Sequence, residues 1–138
     1  MKLTTKGNYA ISAILDLSIN SNGGHISLKE IASRLDLSEN YLRQLFMDMR
    51  KVGLIDSVRG VGGGYFLNIH PEQISVLQII EAVEGDIIIV KCLEGECEDE
   101  CDRIAQCSTR TIWGRLNESI RTKLKNLTLQ ELIDEYNN

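Results

Sequence analysis

The hydrophobic positions at the start of the chain follow the period of an α-helix. Apolar side chains recur at spacings of i, i+3, i+4 and i+7, which places them on one helix face. They are Ala10, Ala13, Ile14 and Leu17. This pattern predicts a largely buried helix from about Thr4 to Asn20, ended by the Ser-Asn-Gly-Gly turn that follows.

Two shorter helical patterns follow, and each is opened by a serine. Ser27 and Glu30 have the spacing of a capping box, and Ser38 caps a second helix that we expect to reach about Val52. The predicted core face of the second helix consists of Leu42, Leu45, Met49 and Val52. Its predicted solvent face consists of Asn40, Tyr41, Arg43, Gln44 and Arg50. The pair predicts a helix-turn-helix, although tri-helical packing without DNA would produce the same pattern.

Two apolar runs after these helices predict a β-hairpin. Its strands are residues 54–58 and 65–69, and the turn between them is Arg59-Gly-Val-Gly-Gly-Gly64. A hairpin directly after a helix-turn-helix is the order of a winged helix. Glycines let the hairpin tip approach a sugar-phosphate backbone, and Arg59 is a suitable cation for a narrow minor groove. A nucleotide-phosphate loop is excluded because its Gly-Lys-Ser/Thr ending is absent.

The second half of the chain predicts three further helices. Ser75 caps one that runs to about Glu84, and Thr128 and Glu131 form a capping box before a short last helix. Between them, an apolar side chain every four residues predicts a long amphipathic helix. This stripe comprises Ile112, Leu116, Ile120 and Leu124. We expect a partner subunit to cover it, because helix-turn-helix proteins usually bind two-fold operators as dimers.

Charge is divided unevenly along the 138 residues. Residues 1–70 carry eight Lys and Arg against six Asp and Glu, a net charge of +2, whereas residues 71–138 carry seven against fourteen, a net charge of −7. The total of −5 therefore does not exclude a phosphate-binding surface on the first half, since that interaction depends on nearby charge.

All four cysteines lie in one acidic stretch, spaced C-x4-C-x3-C-x5-C: Cys92, Cys97, Cys101 and Cys107. Clustered thiolates select zinc, copper(I) or iron–sulfur clusters, whereas two disulfides would require an oxidising compartment. No apolar signal region or bilayer-spanning segment is evident, so we expect a cytoplasmic protein without membrane contact, whose thiols stay reduced. The spacing fits neither a zinc ribbon nor a zinc finger, which favours iron–sulfur over zinc.

Nothing in the sequence predicts an enzyme. It contains no serine, histidine and acid grouping for nucleophilic catalysis, and no paired carboxylates beside an apolar pocket. The two histidines, His25 and His70, are predicted to be exposed loop residues rather than ligands.

Several motifs together resemble one known family. They are Met1-Lys-Leu-Thr-Thr-Lys-Gly-Asn-Tyr-Ala10, Leu37-Ser-Glu-Asn-Tyr-Leu-Arg-Gln-Leu-Phe46, Arg50-Lys-Val-Gly-Leu54, Val58-Arg-Gly-Val-Gly-Gly-Gly-Tyr65, Cys101-x5-Cys107-Ser-Thr-Arg-Thr-Ile-Trp113 and Leu127-Thr-Leu-Gln-Glu-Leu132. They are similar to the winged-helix bacterial regulators that include the iron–sulfur cluster regulator IscR, the nitric-oxide-responsive repressor NsrR and the cysteine-metabolism repressor CymR. The pattern fits the iron–sulfur regulator best. The resemblance implies a homodimer that binds a double-stranded DNA operator, mainly as a repressor of iron–sulfur cluster assembly genes.

The resemblance also implies a ligand set. Three cluster-ligating cysteines of the family correspond to Cys92, Cys101 and Cys107. The histidine that is the fourth ligand in the iron–sulfur regulator corresponds to Arg110, whose guanidinium cannot bind a metal, and an acidic ligand of another member corresponds to Asn8. Cys97 is the natural replacement. The family favours a 2Fe–2S cluster, and an all-cysteine set would also suit 4Fe–4S.

DNA-reading positions of the family fall on Asn40, Tyr41, Arg43 and Gln44, with Arg59 in the wing. The family often has glutamate where this chain has Arg43. Glutamate accepts a hydrogen bond from cytosine, whereas arginine prefers the two acceptors of guanine. The resemblance therefore implies a changed operator preference.

We therefore expect a mainly α protein in three parts. A winged helix-turn-helix domain with a two-stranded wing occupies residues 1–85, a cysteine-rich cluster-binding loop occupies residues 86–107, and a long dimerisation helix with a short C-terminal helix occupies residues 108–138. Two alternatives stay open at this point: a nitric oxide or redox sensor with the same cluster, and a zinc-stabilised interaction protein.

Overall fold

The computed structural model describes residues 5–89 and 108–138, which are mainly helical. The helices are α1 (Thr5–Asn20), α2 (Leu28–Leu35), α3 (Glu39–Lys51), α4 (Val76–Glu84), α5 (Ser108–Asn126) and α6 (Leu129–Asn137). The strands are β1 (Ile55–Val58) and β2 (Gly64–Leu67), and a 3-10 turn spans Pro71–Gln73. This arrangement confirms the predicted fold class, a winged helix-turn-helix with a two-stranded wing and a long helix after it. Within the described residues, no helix is both long and apolar enough to cross a lipid bilayer.

Helix α1 lies at the centre of the hydrophobic core. Helices α2, α3, α4 and α6 all contact it, and α4 has the most extensive contact. The predicted apolar face of α1 is fully buried: Ala10, Ala13, Ile14 and Leu17. Because two of these side chains end at Cβ, neighbouring helices can approach the α1 backbone closely.

The predicted helix starts are confirmed by their capping hydrogen bonds. The hydroxyl of Ser38 accepts from the amide of Tyr41 at 3.1 Å, and complete capping boxes form at Ser75 and Thr128. At Ser27 the hydroxyl accepts from the Glu30 amide at 3.2 Å, and only this half of the predicted box is present among the described residues. Each cap satisfies an amide that would otherwise lack a partner at a helix start.

The core face of α3 differs from the prediction at its end. Val52 is 55% exposed, so its predicted position in the core is wrong. The helix ends at Lys51, and Gly53 then turns the chain with a φ of 83°. Phe46 is fully buried instead, and its ring lies 4.8 Å from that of Tyr65, centroid to centroid.

Ion pairs orient α2 and α3 relative to α1. The guanidinium of Arg34 donates to both carboxylate oxygens of Asp16, with distances of 2.7 Å from Nη2 to Oδ1 and 2.9 Å from Nε to Oδ2. These hydrogen bonds raise the pKa of Arg34 above its usual value. The Lys6 ammonium lies 3.6 Å from Asp48 of α3. Partly exposed pairs of this kind contribute only about 0–1 kcal/mol each, so their main effect is on orientation.

The C-terminal helices both contact the winged core. Helix α5 packs on α4, and α6 packs on α1. Two backbone hydrogen bonds of 2.8 Å join the start of α4 to the start of α6, from Val76 N to Leu127 O and from Leu129 N to Ile74 O. Helix α6 begins directly after the predicted cap Thr128 and extends to Asn137. The predicted division of the chain at residues 85 and 107 stays a prediction.

The wing is paired with the loop that precedes α2. Strands β1 and β2 are antiparallel, and the isolated residue Ile26 adds a further bridge to Tyr65. Its two backbone hydrogen bonds measure 3.0 Å and 2.7 Å between nitrogen and oxygen. A Cβ on Gly64 would lie 2.4 Å from the Ile26 carbonyl oxygen, closer than carbon and oxygen can approach. This bridge therefore requires glycine at position 64.

Gly64→Ala should destabilise the domain, because the added methyl group would force the Ile26 bridge apart. We expect a loss of about 1–3 kcal/mol in the free energy of unfolding, measured by urea denaturation followed by circular dichroism. Gly114→Ala is the matched control, since its Cβ would meet nothing within 4 Å and alanine favours the helical conformation of α5. Equal unfolding free energies for Gly64→Ala and the unaltered protein would show that the bridge shifts without cost.

Candidate nucleic-acid interface

Helix α3 exposes a polar face along its whole length. Its buried side is formed by Leu42, Leu45, Phe46 and Met49, which anchor the helix in the core. The opposite side exposes Asn40, Arg43, Gln44, Met47, Arg50 and Lys51. At 3.6 residues per turn these exposed positions form a continuous stripe. The structure thus places the predicted residues Asn40, Arg43 and Gln44 together on one accessible surface.

Two residues of this stripe are joined by a hydrogen bond. Nη1 of Arg43 donates to Oδ1 of Asn40 at 3.0 Å, one turn earlier on the helix. The bond holds the guanidinium along the first two turns of α3. It uses one of the five N–H donors of arginine, and it leaves the amide NH2 of Asn40 free to donate elsewhere.

Tyr41 occupies a different position from the one predicted. It is half-buried rather than facing solvent, and its ring meets that of Tyr9 edge to face, with centroids 5.9 Å apart. The side chain therefore connects α3 to α1. Position 41 lies one residue beyond Asn40, which turns it by about 100° from the exposed stripe towards the core.

Arg59 lies exposed at the beginning of the wing tip, directly after β1. The tip turns through Gly60 and Gly62, whose φ angles are 104° and 79°. Side chains other than glycine rarely adopt such values, so these glycines are required for the turn. Nε of Arg50 lies 3.1 Å from Oδ1 of Asp56, which ties the end of α3 to β1. The stripe and the wing are thus held in one unit.

Met47 is a member of the exposed stripe that the sequence patterns did not identify. Its side chain is 44% exposed and follows Arg43 and Gln44 at helical spacing, with Lys51 one turn further on. The spacing alone would have placed it on this face. Met47 was not predicted to be exposed because an apolar residue in an amphipathic helix is normally assigned to the core.

The predicted ligands Cys92, Cys97, Cys101 and Cys107 lie outside the described residues. Within residues 5–89 and 108–138, no group of three or more His, Cys, Asp and Glu side chains is arranged to hold a metal ion. Ile89, a described residue of the predicted loop before the first cysteine, contacts α5: its amide donates to Oδ1 of the buried Asn117 at 3.0 Å. Arg121, one turn further along α5, pairs with Glu81 of α4.

The predicted apolar stripe of α5 is divided between two environments. Ile112 and Leu116 are 63% and 44% exposed, whereas Ile120 and Leu124 are half-buried. Residues four positions apart advance by about 40° around a helix, so the stripe winds slowly from solvent towards α4. Among residues 5–89 and 108–138, no segment covers the first half of the stripe.

An exposed polar helix after a helix-turn, followed by a glycine-rich hairpin, defines the class of winged-helix DNA-binding proteins. A family model described as Rrf2, iron-dependent transcriptional regulator, matches residues 3–135. The chain belongs to the Rrf2 family of transcriptional regulators.

Individual relatives agree with this assignment. A candidate HTH-type transcriptional regulator of Haemophilus influenzae is 46% identical over 137 residues, which cover 99% of this chain and 89% of the relative. The structure of IscR from T. potens is 35% identical with a TM-score of 0.78, covering 99% of this chain and 88% of that protein. CymR of B. subtilis, titled the global cysteine regulator, is 35% identical with a TM-score of 0.80, covering 98% of both chains. The predicted resemblance is confirmed, and so is the prediction of a regulator rather than an enzyme.

Proposed function

We propose that this Rrf2-family regulator is a cytoplasmic homodimer that reads a DNA operator and responds to an iron–sulfur cluster, mainly as a repressor of iron–sulfur cluster assembly genes. The observation that carries the DNA-reading part is the exposed stripe of α3 held beside the wing. The cluster part rests on the four-cysteine donor set and on the similarity to IscR.

Asn40, Arg43 and Gln44 are the proposed base-reading residues. They lie in the first two turns of α3, and the N-terminal part of a recognition helix is the part that contacts base edges. Arginine bonds guanine in a bidentate manner, and asparagine or glutamine bonds adenine. The Asn40 hydrogen bond restricts the Arg43 side chain before DNA arrives, so less conformational entropy is lost on binding. Tyr41 contributes by packing against Tyr9, which sets the angle of α3.

Arg59 is the proposed minor-groove residue. Its guanidinium is exposed at the wing tip, where the neighbouring glycines leave room for a sugar-phosphate backbone. A narrow minor groove has an enhanced negative potential that attracts arginine. This contact depends on groove shape and phosphate charge and not on base edges.

Cys92, Cys97, Cys101 and Cys107 are the proposed cluster ligands. Thiolates are the usual ligands of iron–sulfur clusters, so the chemistry of this donor set fits such a group. A bound cluster would supply sensitivity to iron, sulfide, oxygen or nitric oxide. The family favours 2Fe–2S over 4Fe–4S.

Contacts at the beginning of the loop support a coupling between cluster occupancy and DNA binding. Ile89 is bonded to Asn117 of α5, and Glu84 at the end of α4 accepts a hydrogen bond from the Gly7 amide of α1 at 3.2 Å. We propose that ligation orders the loop between α5 and the winged domain. In a dimer this would change how two recognition helices fit successive major grooves.

The proposed dimer interface includes the exposed half of the α5 stripe. Ile112 and Leu116 lie on the same side of the helix, with Trp113 also exposed nearby, whereas Asn117 and Arg121 face the winged core. Burying this apolar surface against a second copy would remove it from water. A two-fold dimer would also match the symmetry of a typical operator.

The alternatives differ in what is sensed. A nitric oxide or redox sensor would use the same loop. The similarity to CymR, titled the global cysteine regulator, shows that a regulator of this fold can respond to a signal other than cluster supply. A zinc-stabilised interaction protein would bind zinc through the cysteines. Anaerobic purification with iron, sulfide and zinc quantified per monomer separates the zinc protein from the cluster-binding regulators, because a bound cluster is brown and zinc is colourless. Titrating the anaerobic protein with nitric oxide or with oxygen, and following operator binding, then separates a nitric oxide or redox sensor from a regulator that responds to cluster supply.

Replacing any one of the four cysteines with alanine should abolish or strongly reduce the visible absorbance of anaerobically purified protein. The four variants are Cys92→Ala, Cys97→Ala, Cys101→Ala and Cys107→Ala. The reason is that each removes one thiolate of a four-ligand set. Ser108→Ala, next to Cys107, is the control that should keep the spectrum. If Cys97→Ala retains full cluster occupancy and an unchanged spectrum, the fourth ligand lies elsewhere.

Arg43→Ala and Arg59→Ala should weaken DNA binding in different ways. Loss of a bidentate guanine contact should cost about 1–3 kcal/mol on the preferred operator and relax the preference at one base pair of each half-site. Loss of Arg59 should weaken many sequences evenly and reduce the salt dependence. Competition binding on a randomised operator library at fixed salt distinguishes the two. Uniform weakening by Arg43→Ala, with the preferred sequence unchanged, would identify Arg43 as a phosphate contact.

Ile112→Glu combined with Leu116→Glu should convert the dimer to a monomer, because charges would be buried at the interface. Both side chains are exposed in the single chain, so the fold of each subunit should survive. Sedimentation reports the mass, and operator binding should weaken. Thr111→Glu combined with Thr122→Glu adds the same charge to a different exposed side of α5, about 80–140° around the helix from Ile112 and Leu116, and should leave the dimer intact. If the Ile112→Glu, Leu116→Glu variant stays dimeric, the dimer interface does not include this side of α5.

A further inference from the structure

The wing tip is joined to the rest of the domain by a histidine. His25 lies in the loop between α1 and α2, and its Nε2 atom is 2.5 Å from the carbonyl oxygen of Gly62. These two residues are 37 positions apart in the sequence. A carbonyl oxygen only accepts, so Nε2 must carry a proton. Both the Nε2–H tautomer and the doubly protonated ring satisfy this requirement.

The contact lies where the wing has little other support. Residues 58–62 are exposed and contain two glycines with positive φ, a composition with high conformational freedom. Within the tip, Gly63 N donates to Gly60 O at 3.0 Å. Among the described residues, the bond from His25 to Gly62 is the one hydrogen bond that connects this tip to a segment outside the hairpin.

The base of the wing is fixed by the residue next to His25. Ile26 is buried and pairs with Tyr65 through two backbone hydrogen bonds. Gly64 lies so close to Ile26 that a side chain would not fit between them. The loop before α2 therefore contacts the wing at two positions along the hairpin, at its base through Ile26 and at its tip through His25.

We propose that His25 is a positioning residue for DNA binding, which holds the wing tip so that Arg59 is oriented towards the minor groove before DNA arrives. This inference rests on the proposed role of Arg59. A tip held in one arrangement loses less conformational entropy when it binds, so more of the interaction free energy of Arg59 contributes to affinity. His25 itself needs no contact with the DNA.

The first test measures the wing without DNA. His25→Ala should lower the NMR order parameters of the Gly60–Gly63 amides, while the midpoint of urea unfolding stays close to that of the unaltered protein. His25→Gln, which keeps an N–H donor at the end of its side chain, should restore much of the order. His70→Ala is the matched control, since it removes an exposed histidine that contacts the 3-10 turn and not the wing. Unchanged tip order in His25→Ala would overturn the proposal.

The second test measures coupling to Arg59 on an operator selected from a random library. His25→Ala should raise the Kd by about three- to tenfold, the range expected for one net hydrogen bond, without changing the preferred sequence. The effect of Arg59→Ala should be at least about twofold smaller when His25 is already alanine. Additive effects of the two substitutions, or no effect of Arg59→Ala, would overturn the role of His25. If the unaltered protein binds no DNA sequence specifically, that result would instead contradict the proposed function.

Discussion

Burial of one face of α1 is the constraint on which the rest of the domain depends. Four neighbouring helices pack on this face, and each of them has an apolar stripe of its own to bury. Burying that stripe decides which side of each helix points outwards. The polar face of α3 is accessible for this reason: Leu42, Leu45, Phe46 and Met49 are held in the core, so Arg43 and Gln44 must face solvent.

The proposed DNA-binding surface consists of α3 and the wing, and it requires that these two elements have a fixed relative orientation. Helix α3 and the wing are joined by the ring contact of Phe46 with Tyr65 and by the ion pair of Arg50 with Asp56, and the Ile26 bridge to Tyr65 joins the wing to the loop before α2. The apolar contact supplies most of the stability, since partly exposed ion pairs contribute little. The polar contacts direct the strands, because hydrogen bonds and charge pairs have preferred geometries. Helix and hairpin can therefore be presented to two grooves without large reorganisation.

Helix α4 connects this DNA-facing half to the C-terminal part of the chain. Its apolar side lies in the core against α1 and α3, and α5 packs on it as well. Polar contacts surround that packing, with Glu84 at the Gly7 amide and Glu81 at Arg121. Asn117 is the clearest case of a polar group placed for a specific partner, because it is buried and accepts from the Ile89 amide. A buried side-chain amide oxygen without a partner would cost about 1–3 kcal/mol, and the Ile89 amide supplies that partner for Asn117.

Local features were predictable from sequence because their physics is local. A helix cap uses a side chain and an amide three residues apart, so Ser27, Ser38, Ser75 and Thr128 marked the helix starts correctly. The period of the apolar residues predicted the core face of α1, and the glycine-rich turn predicted the wing. The exposed residues Asn40, Arg43 and Gln44 followed from the same helical period. The motif resemblance identified the family, because it depends on residue identity and not on contacts.

Tertiary structure alone decided the features that depend on contacts between distant segments. Tyr41 is half-buried because Tyr9 of another helix lies beside it, and Val52 is exposed because the chain turns at Gly53 before reaching the core. The division of the α5 stripe depends on where α4 lies. The sequence predicted His25 only as an exposed loop residue, and no local pattern relates it to Gly62. Side-chain type and spacing determine what a residue can bond, but the packing of α1 against its neighbours determines which partners come within reach.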